Sequence, residues 1–286
     1  MKASMFLSVF LAAFAVSAPA RAAAPVPCCS GASRSPDFGA GTVAISNAVS
    51  SIVVETHGAR IVSWKRHGRE MLWMPKSGTV KRWVHGGVPL CWPRHGRKAP
   101  LPGAPIHGVA WDMRFKVVSR QDGDSVSSIE LGCCYGNLAL SYRIVLDDCL
   151  RFEMRTENKG TEPEKVVSAL HPYFRVGDVS RVSVGEIAFS GMFDKGFSCS
   201  PGDEYLIDDR SSGRRIAVRA DEARRFVVWN PWKRLESGEE DAIVPSLGEG
   251  EYRNFVCVEP VSGSWDEAKP IPPGGMHIFR ATFRAD

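Results

Sequence analysis

The feature that most constrains this chain is the period of its apolar residues, which is two from Thr42 onward. Side chains of a strand alternate between its two faces, so this period turns one face of each segment toward a core. Ser51–Thr56 and Ala59–Trp64 alternate in this way on either side of His57-Gly58, a hairpin signal. Arg114–Ser119, Ser125–Leu131, Leu138–Leu146 and Leu150–Thr156 follow, with tight turns at Gln121–Asp124 and Asp147–Cys149. Val166–Leu170 reads as a buried strand whose ladder Pro172 stops. Arg214–Val218, Arg225–Trp229, Phe255–Glu259 and Met276–Phe283 complete the set. No long amphipathic helix and no internal repeat accompany them. Many short strands joined by Gly and Asp turns predict an all-β sandwich. A length of 286 residues suits one large domain or two small ones and easily builds a core.

The N-terminus departs from this pattern. Met1-Lys2 is a short basic start, Met5–Val16 an apolar core too short to span a bilayer comfortably, and Ala20-Arg-Ala22 a small-residue cleavage pattern. Residues 1–22 are therefore expected to be a secretory signal peptide, with an uncleaved anchor as the rival. Residues 23–40, rich in Ala, Pro, Ser and Gly, read as a linker or disordered arm, and 41–286 as the sandwich domain. Cleavage removes Lys2 and Arg21 and no acid, taking the formal charge from +4 to +2. So small a charge, without a basic run interleaved with aromatics, gives no argument for nucleic-acid binding, and none is expected.

Eight cysteines in an exported chain invite disulfides. Cys91 and Cys257 lie inside apolar strands, where a free cysteine packs as a small hydrophobe. Adjacent cysteines such as Cys133-Cys134 are poor metal sites, because neighbouring strand residues face opposite ways.

Walker A, G-x-S-x-G and H-E-x-x-H sequences are absent. Gly39–Ala44 mimics a dinucleotide fingerprint but precedes a strand instead of opening a helix. His85, His95 and His107 have irregular spacing and no carboxylate partner, so no metal is expected there. Glu259 ends the apolar run Phe255–Val258 and precedes Pro260. Partial desolvation of a carboxylate suits it to proton transfer. His171 stands between an apolar run and Tyr173-Phe174, and a carboxylate and an imidazole facing one pocket can work as base and acid. One long irregular segment, Gly78–Gly108, carries tryptophans, prolines and the basic run Arg94-His-Gly-Arg-Lys98, and long ordered loops are usually functional.

Five pieces stand in an order that resembles the hexose-6-phosphate mutarotases, the glucose-6-phosphate 1-epimerase branch of the aldose 1-epimerase superfamily. They are Gly58–Lys65, Gly86-Gly-Val-Pro-Leu-Cys-Trp-Pro93, His107-Gly-Val-Ala110, Ala169-Leu-His-Pro-Tyr-Phe-Arg-Val-Gly-Asp178 and Phe255–Glu259, and Val227–Trp232 resembles a further family strand. The resemblance runs from about Ser46 to the C-terminus. It implies a large antiparallel β-sandwich, galactose mutarotase-like, with a sugar cleft on one concave sheet. It implies Glu259 as the base at the anomeric hydroxyl, His171 as the acid at the ring oxygen and His107 as a sugar ligand. Arg60, His85, Arg94 and Trp229 fall in or beside the matching pieces and are expected at the substrate.

The departures concern phosphate. The family usually carries arginine before the Gly-Gly pair and after His-Gly-x-Ala, where this chain has His85 and Trp111. Neither clamps a phosphate as a guanidinium does. Arg82, Arg94 and Lys98 are candidates to compensate. The family's aspartate between Val184 and Arg214 maps loosely, with Asp203 nearest. The expected protein is an exported, periplasmic or secreted monomer that interconverts the anomers of a hexose or hexose 6-phosphate. It is expected to need no cofactor and no metal, and to bind a sugar or sugar phosphate, no nucleic acid and no membrane once the leader is cut. The rival is a non-catalytic carbohydrate-binding module on the same fold, which needs no acid–base pair.

Overall fold

A computed structural model describes residues 41–75, 85–96, 105–235 and 247–286. The expected leader and arm lie outside the described residues, as do Cys28, Cys29, Arg82, Trp83 and Lys98. The strands form three antiparallel sheets of four, six and nine strands. No helix of the described residues is long and apolar enough to cross a membrane.

The four-stranded sheet is an N-terminal meander, Thr42–Ser46, Ser50–Glu55, Ile61–Arg66 and Arg69–Glu70. The nine-stranded sheet is built around Ser127–Tyr135, Leu138–Leu146, Leu150–Asn158 and Met276–Ala285. Its logic is visible in Leu150–Asn158, where Leu150, Phe152, Met154 and Thr156 are buried and Arg151 is exposed. The six-stranded sheet runs Phe193–Ser198, Arg225–Asn230, Phe255–Val261, Ala169–Leu170 and Leu90–Cys91, and Tyr173–Arg175 also pairs with Phe255–Val261.

All seven residues of Phe255–Val261 are buried, so both of its faces are covered. Alternation divides them. Phe174, Val228, Val256 and Val258 share one face, and the Phe174 ring stands 5.1 Å from that of Phe283 in the nine-stranded sheet. Trp64 of the small sheet reaches the same Phe283 at 6.5 Å, and one hydrophobic core joins all three sheets. Tyr173, Trp229, Cys257 and Glu259 occupy the other face. Burying aliphatic side chains on this scale contributes about 1.5–3 kcal/mol each, and it fixes the strand that carries Glu259.

Two expectations are corrected here. Val166–Leu170 is not one strand that Pro172 ends. Only Ala169–Leu170 pairs before His171, and Tyr173–Arg175 resumes the pairing after Pro172. Ala169 opposes Val261 and Tyr173 opposes Cys257, so the register is continuous and places His171 opposite Glu259. Pro172 and Pro260 have no N–H to give the ladder, which is why the pairing is interrupted there without ending. Glu259 likewise lies inside its strand. The second correction concerns the disulfides: Cys133, Cys134, Cys149 and Cys199 are free, and Cys91 and Cys257 are free and buried, as expected of cysteines packed in apolar strands.

Candidate active site

Glu259 is 2% exposed and is contacted on both carboxylate oxygens. Its Oε1 lies 3.3 Å from Nε2 of His171, and its Oε2 accepts a hydrogen bond of 2.9 Å from Nε2 of His95. His171 is pinned from the opposite side, where its backbone N–H donates to the Pro89 carbonyl at 3.0 Å. Its ring stacks on Tyr173 at 4.9 Å and meets Trp229 edge-on at 5.9 Å. Burial holds the His171 imidazole below its usual value, against the pull of Glu259, while His95 adds to the lowering.

The loops Trp92–Gly96 and Pro105–Ala110 close over this pair. The Val109 and Ala110 N–H groups both donate to the Trp92 carbonyl, at 2.8 and 3.1 Å. Gly108 has φ +79°, and a Cβ there would stand 2.2 Å from that carbonyl, so glycine alone permits the approach. Gly96 N–H donates to Nδ1 of His107 at 3.3 Å. The His107 ring is 4.9 Å from that of His95 and 5.3 Å from that of His171. Two imidazoles thus contact one carboxylate, and a third rests against both of them.

His85 and Trp229 form the next wall, stacked with centroids 6.2 Å apart. His85 Nδ1 and the Tyr173 hydroxyl share a hydrogen bond of 2.8 Å. Burial lowers the pKa of His85 to about 3, with His171 and Arg60 adding to the effect. It is a neutral ring at neutral pH. Arg60 is buried beneath this wall. Its Nε and Nη2 donate to Oε2 of Glu55 at 3.0 and 2.9 Å, and its Nη1 donates to the His85 carbonyl at 3.2 Å. The Arg60 guanidinium therefore braces the loop that carries His85. Trp111, in the other departure position, donates from Nε1 to the Gly108 carbonyl at 3.0 Å. Arg94 is buried beside His95, and its Nε and Nη1 have no protein partner.

Asp203 is placed elsewhere. It is exposed in a turn, where its Oδ2 accepts from the Ser200 N–H at 2.8 Å. The acid near the site is Asp194, paired across the six-stranded sheet with Trp229 and close enough that its charge raises the proton affinity of His171. Asp194 escaped the reading because Phe193–Ser198 has a weak apolar pattern on an exposed edge. In sequence His95 presents itself only as a metal-ligand candidate, because nothing in its spacing pairs it with a carboxylate. A signal was present, since Cys91-Trp-Pro-Arg-His95 keeps it four residues from a buried strand.

Two sets of soft ligands converge here, Cys91 with His95 and His107, and His171 with Cys257 and Glu259. Within each set the ligand atoms lie within 4.8 Å of one another. The carboxylate that the histidines lacked in sequence is Glu259.

A family model described as aldose 1-epimerase matches residues 41–191. A candidate glucose-6-phosphate 1-epimerase of Escherichia coli (strain K12) is 31% identical over 236 residues, covering 71% of this chain and 76% of that protein. One from Cenchrus ciliaris is 24% identical over 249 residues, covering 72% and 73%. Among solved structures, a candidate mutarotase from Salmonella typhimurium, YeaD, aligns with a TM-score of 0.74 at 22% identity, over 85% of this chain and 90% of that one. A galactose mutarotase-like protein from Clostridium acetobutylicum aligns with a TM-score of 0.66 at 14% identity, over 86% and 95%.

Proposed function

This chain belongs to the aldose 1-epimerase family, and from that premise we propose that it interconverts the α and β anomers of a hexose with Glu259 as base and His171 as acid. The observation that carries this reading is the buried contact of 3.3 Å between the two groups, opposite each other in one register. The Glu259 carboxylate takes the proton from the O1 hydroxyl while His171, in the protonated form that the neighbouring Glu259 and Asp194 charges favour against burial, gives one to the ring oxygen. The C1–O5 bond breaks, the C1–C2 bond turns, and reversal of both transfers closes the other anomer. Proton count and charge are restored at each turnover, and the residues alone supply both transfers. A non-catalytic sugar binder has no use for a buried carboxylate between imidazoles, which costs stability to keep. Glu259→Gln keeps the shape and removes the base. Anomer-exchange NMR is expected to find it at the spontaneous background with unchanged circular dichroism, and exchange at the wild-type rate would exclude Glu259 as the base.

The relatives' names specify a phosphorylated hexose; for this chain we propose a weakened preference for phosphate. Neutral, buried His85 and the tied indole of Trp111 stand where a dianion would be gripped. A hydrogen bond to a charged group contributes about 1.5–3 kcal/mol, so two fewer cost on the order of a hundredfold or more in affinity. Arg94, next to His95 in the chain, is a buried cation whose Nε and Nη1 are unengaged. The expected result is a kcat/KM for glucose equal to or above that for glucose 6-phosphate at fixed ionic strength. A strong phosphate preference that collapses in Arg94→Ala would instead establish a rebuilt anion site. We also propose an exported protein, on the strength of the leader pattern in residues 1–22.

A further inference from the structure

We propose that Cys91, His95 and His107 form a capture site for a divalent ion of the zinc class, and that its occupation draws His95 off Glu259 and arrests the enzyme. The donor set is one sulfur and two imidazoles, the combination that zinc prefers over hard oxygen cages. Zinc–sulfur and zinc–nitrogen bonds of about 2.3 and 2.0–2.1 Å in a tetrahedron put the ligands roughly 3.3–3.8 Å apart. The three ligand atoms already lie within 4.8 Å of one another, so side-chain rotations of about an ångström complete the site. Cys91 is its fixed floor, buried on the strand Leu90–Cys91 and paired there with Ala169. His95 and His107 are its partly exposed rim, and the contacts between Gly96 and His107 keep the two loops together. An ion can therefore enter from the rim. The other set, His171, Cys257 and Glu259, is buried throughout and has no exposed rim.

The fourth position faces the carboxylate. Oε2 of Glu259 is 2.9 Å from His95 Nε2, so an ion held by His95 stands within reach of the same oxygen. Binding exchanges the Cys91 S–H bond for a sulfur–metal bond, and the proton leaves to solvent. The acid–base reading uses neither the Cys91 thiol nor the gathering of sulfur beside two histidines. Arrest of the enzyme rests on that reading; capture of the ion does not.

The test is titration of the full exported chain with zinc, followed by calorimetry in two buffers of different protonation enthalpy. Wild type is expected to bind one ion per chain with net proton release. Cys91→Ala is expected to bind at least tenfold more weakly, to keep its basal exchange rate, and to keep it in zinc. Wild-type exchange is expected to stop in zinc and to return with a chelator. Cobalt(II) gives a readout that needs no variant, since a thiolate-to-cobalt charge-transfer band in wild type reports the sulfur ligand. No saturable uptake, no charge-transfer band, or loss of uptake in Cys257→Ala with Cys91→Ala unaffected would each overturn the proposal. A chain that binds zinc through Cys91 but never exchanges anomers would leave the site standing and remove the mutarotase reading alone.

Discussion

At the scale of the residue, the site is a set of ionisable rings held away from water, and this has a measurable cost. His85 has a folded pKa of about 3 against an ordinary 6.5. A depressed value means that the unfolded chain binds the proton first as pH falls. The stabilisation is therefore complete above about pH 6.5 and is lost progressively toward pH 3. One proton corresponds to roughly 1.4 kcal/mol per pH unit. His171 and His277 are lowered by burial in the same sense and add to the wild-type slope. Urea unfolding between about pH 6.5 and 4 is expected to show that slope reduced by about one proton in His85→Phe. An identical slope in the variant would mean that His85 is protonated in the folded state. Glu259 and His171 were legible in sequence because each interrupts an apolar run beside proline. His95 and Asp194 were not, because what makes them part of the site is which strands pair, and no local pattern carries that.

At the scale of the element, the sharpest constraint is the Gly-Gly pair that follows His85. Gly87 has φ +70°, and an added Cβ would sit 2.1 Å from the Ile61 carbonyl oxygen. Its own N–H donates to the Trp73 carbonyl, and its carbonyl accepts from the Tyr173 N–H, both at 2.8 Å. Gly68 has φ +76° with nothing within 4 Å of such a Cβ. The two glycines separate backbone strain from steric conflict. Gly68→Ala is expected to cost about 1–2 kcal/mol, the left-handed penalty alone. Gly87→Ala is expected to exceed it by about 2 kcal/mol or more, with loss of exchange activity, because Ile61 or Tyr173 must move. Equal urea midpoints for the two variants would refute the close approach. The strong alternating strands were readable almost to the residue, as Leu138–Leu146 shows. Glu204–Asp209 and the short strands Val182–Val184 and Ile187–Ala188 were missed, since they are too short or too polar to show a period.

At the scale of the whole molecule, the proposed export and the free thiols of the described residues share one test. The leader pattern predicts a chain beginning at Ala23, and the six described cysteines are unpaired. Intact-mass measurement after alkylation in denaturant examines both. The expected product lacks residues 1–22 and carries at least six alkyl groups. Retention of Met1 would favour an anchored chain, and fewer adducts would mean disulfides. The layered architecture followed from period two alone, whereas the division into three sheets did not, because pairing order depends on contacts distant in sequence. The two prolines of these neighbouring strands, Pro172 and Pro260, carry a last consequence. A strand shifted by one residue would turn Glu259 to the other face and strip other ladder bonds to accommodate proline, so sliding is penalised twice. The Glu259–His171 pair thus belongs to a part of the chain that tolerates little change. His85, Arg94, His95 and His107 belong to loops and Trp111 to the single 3-10 turn Ala110–Asp112, so no strand ladder holds their register. Descendants of such a chain can exchange one sugar for another, or acquire a new inhibitor, while inheriting the same chemistry unaltered.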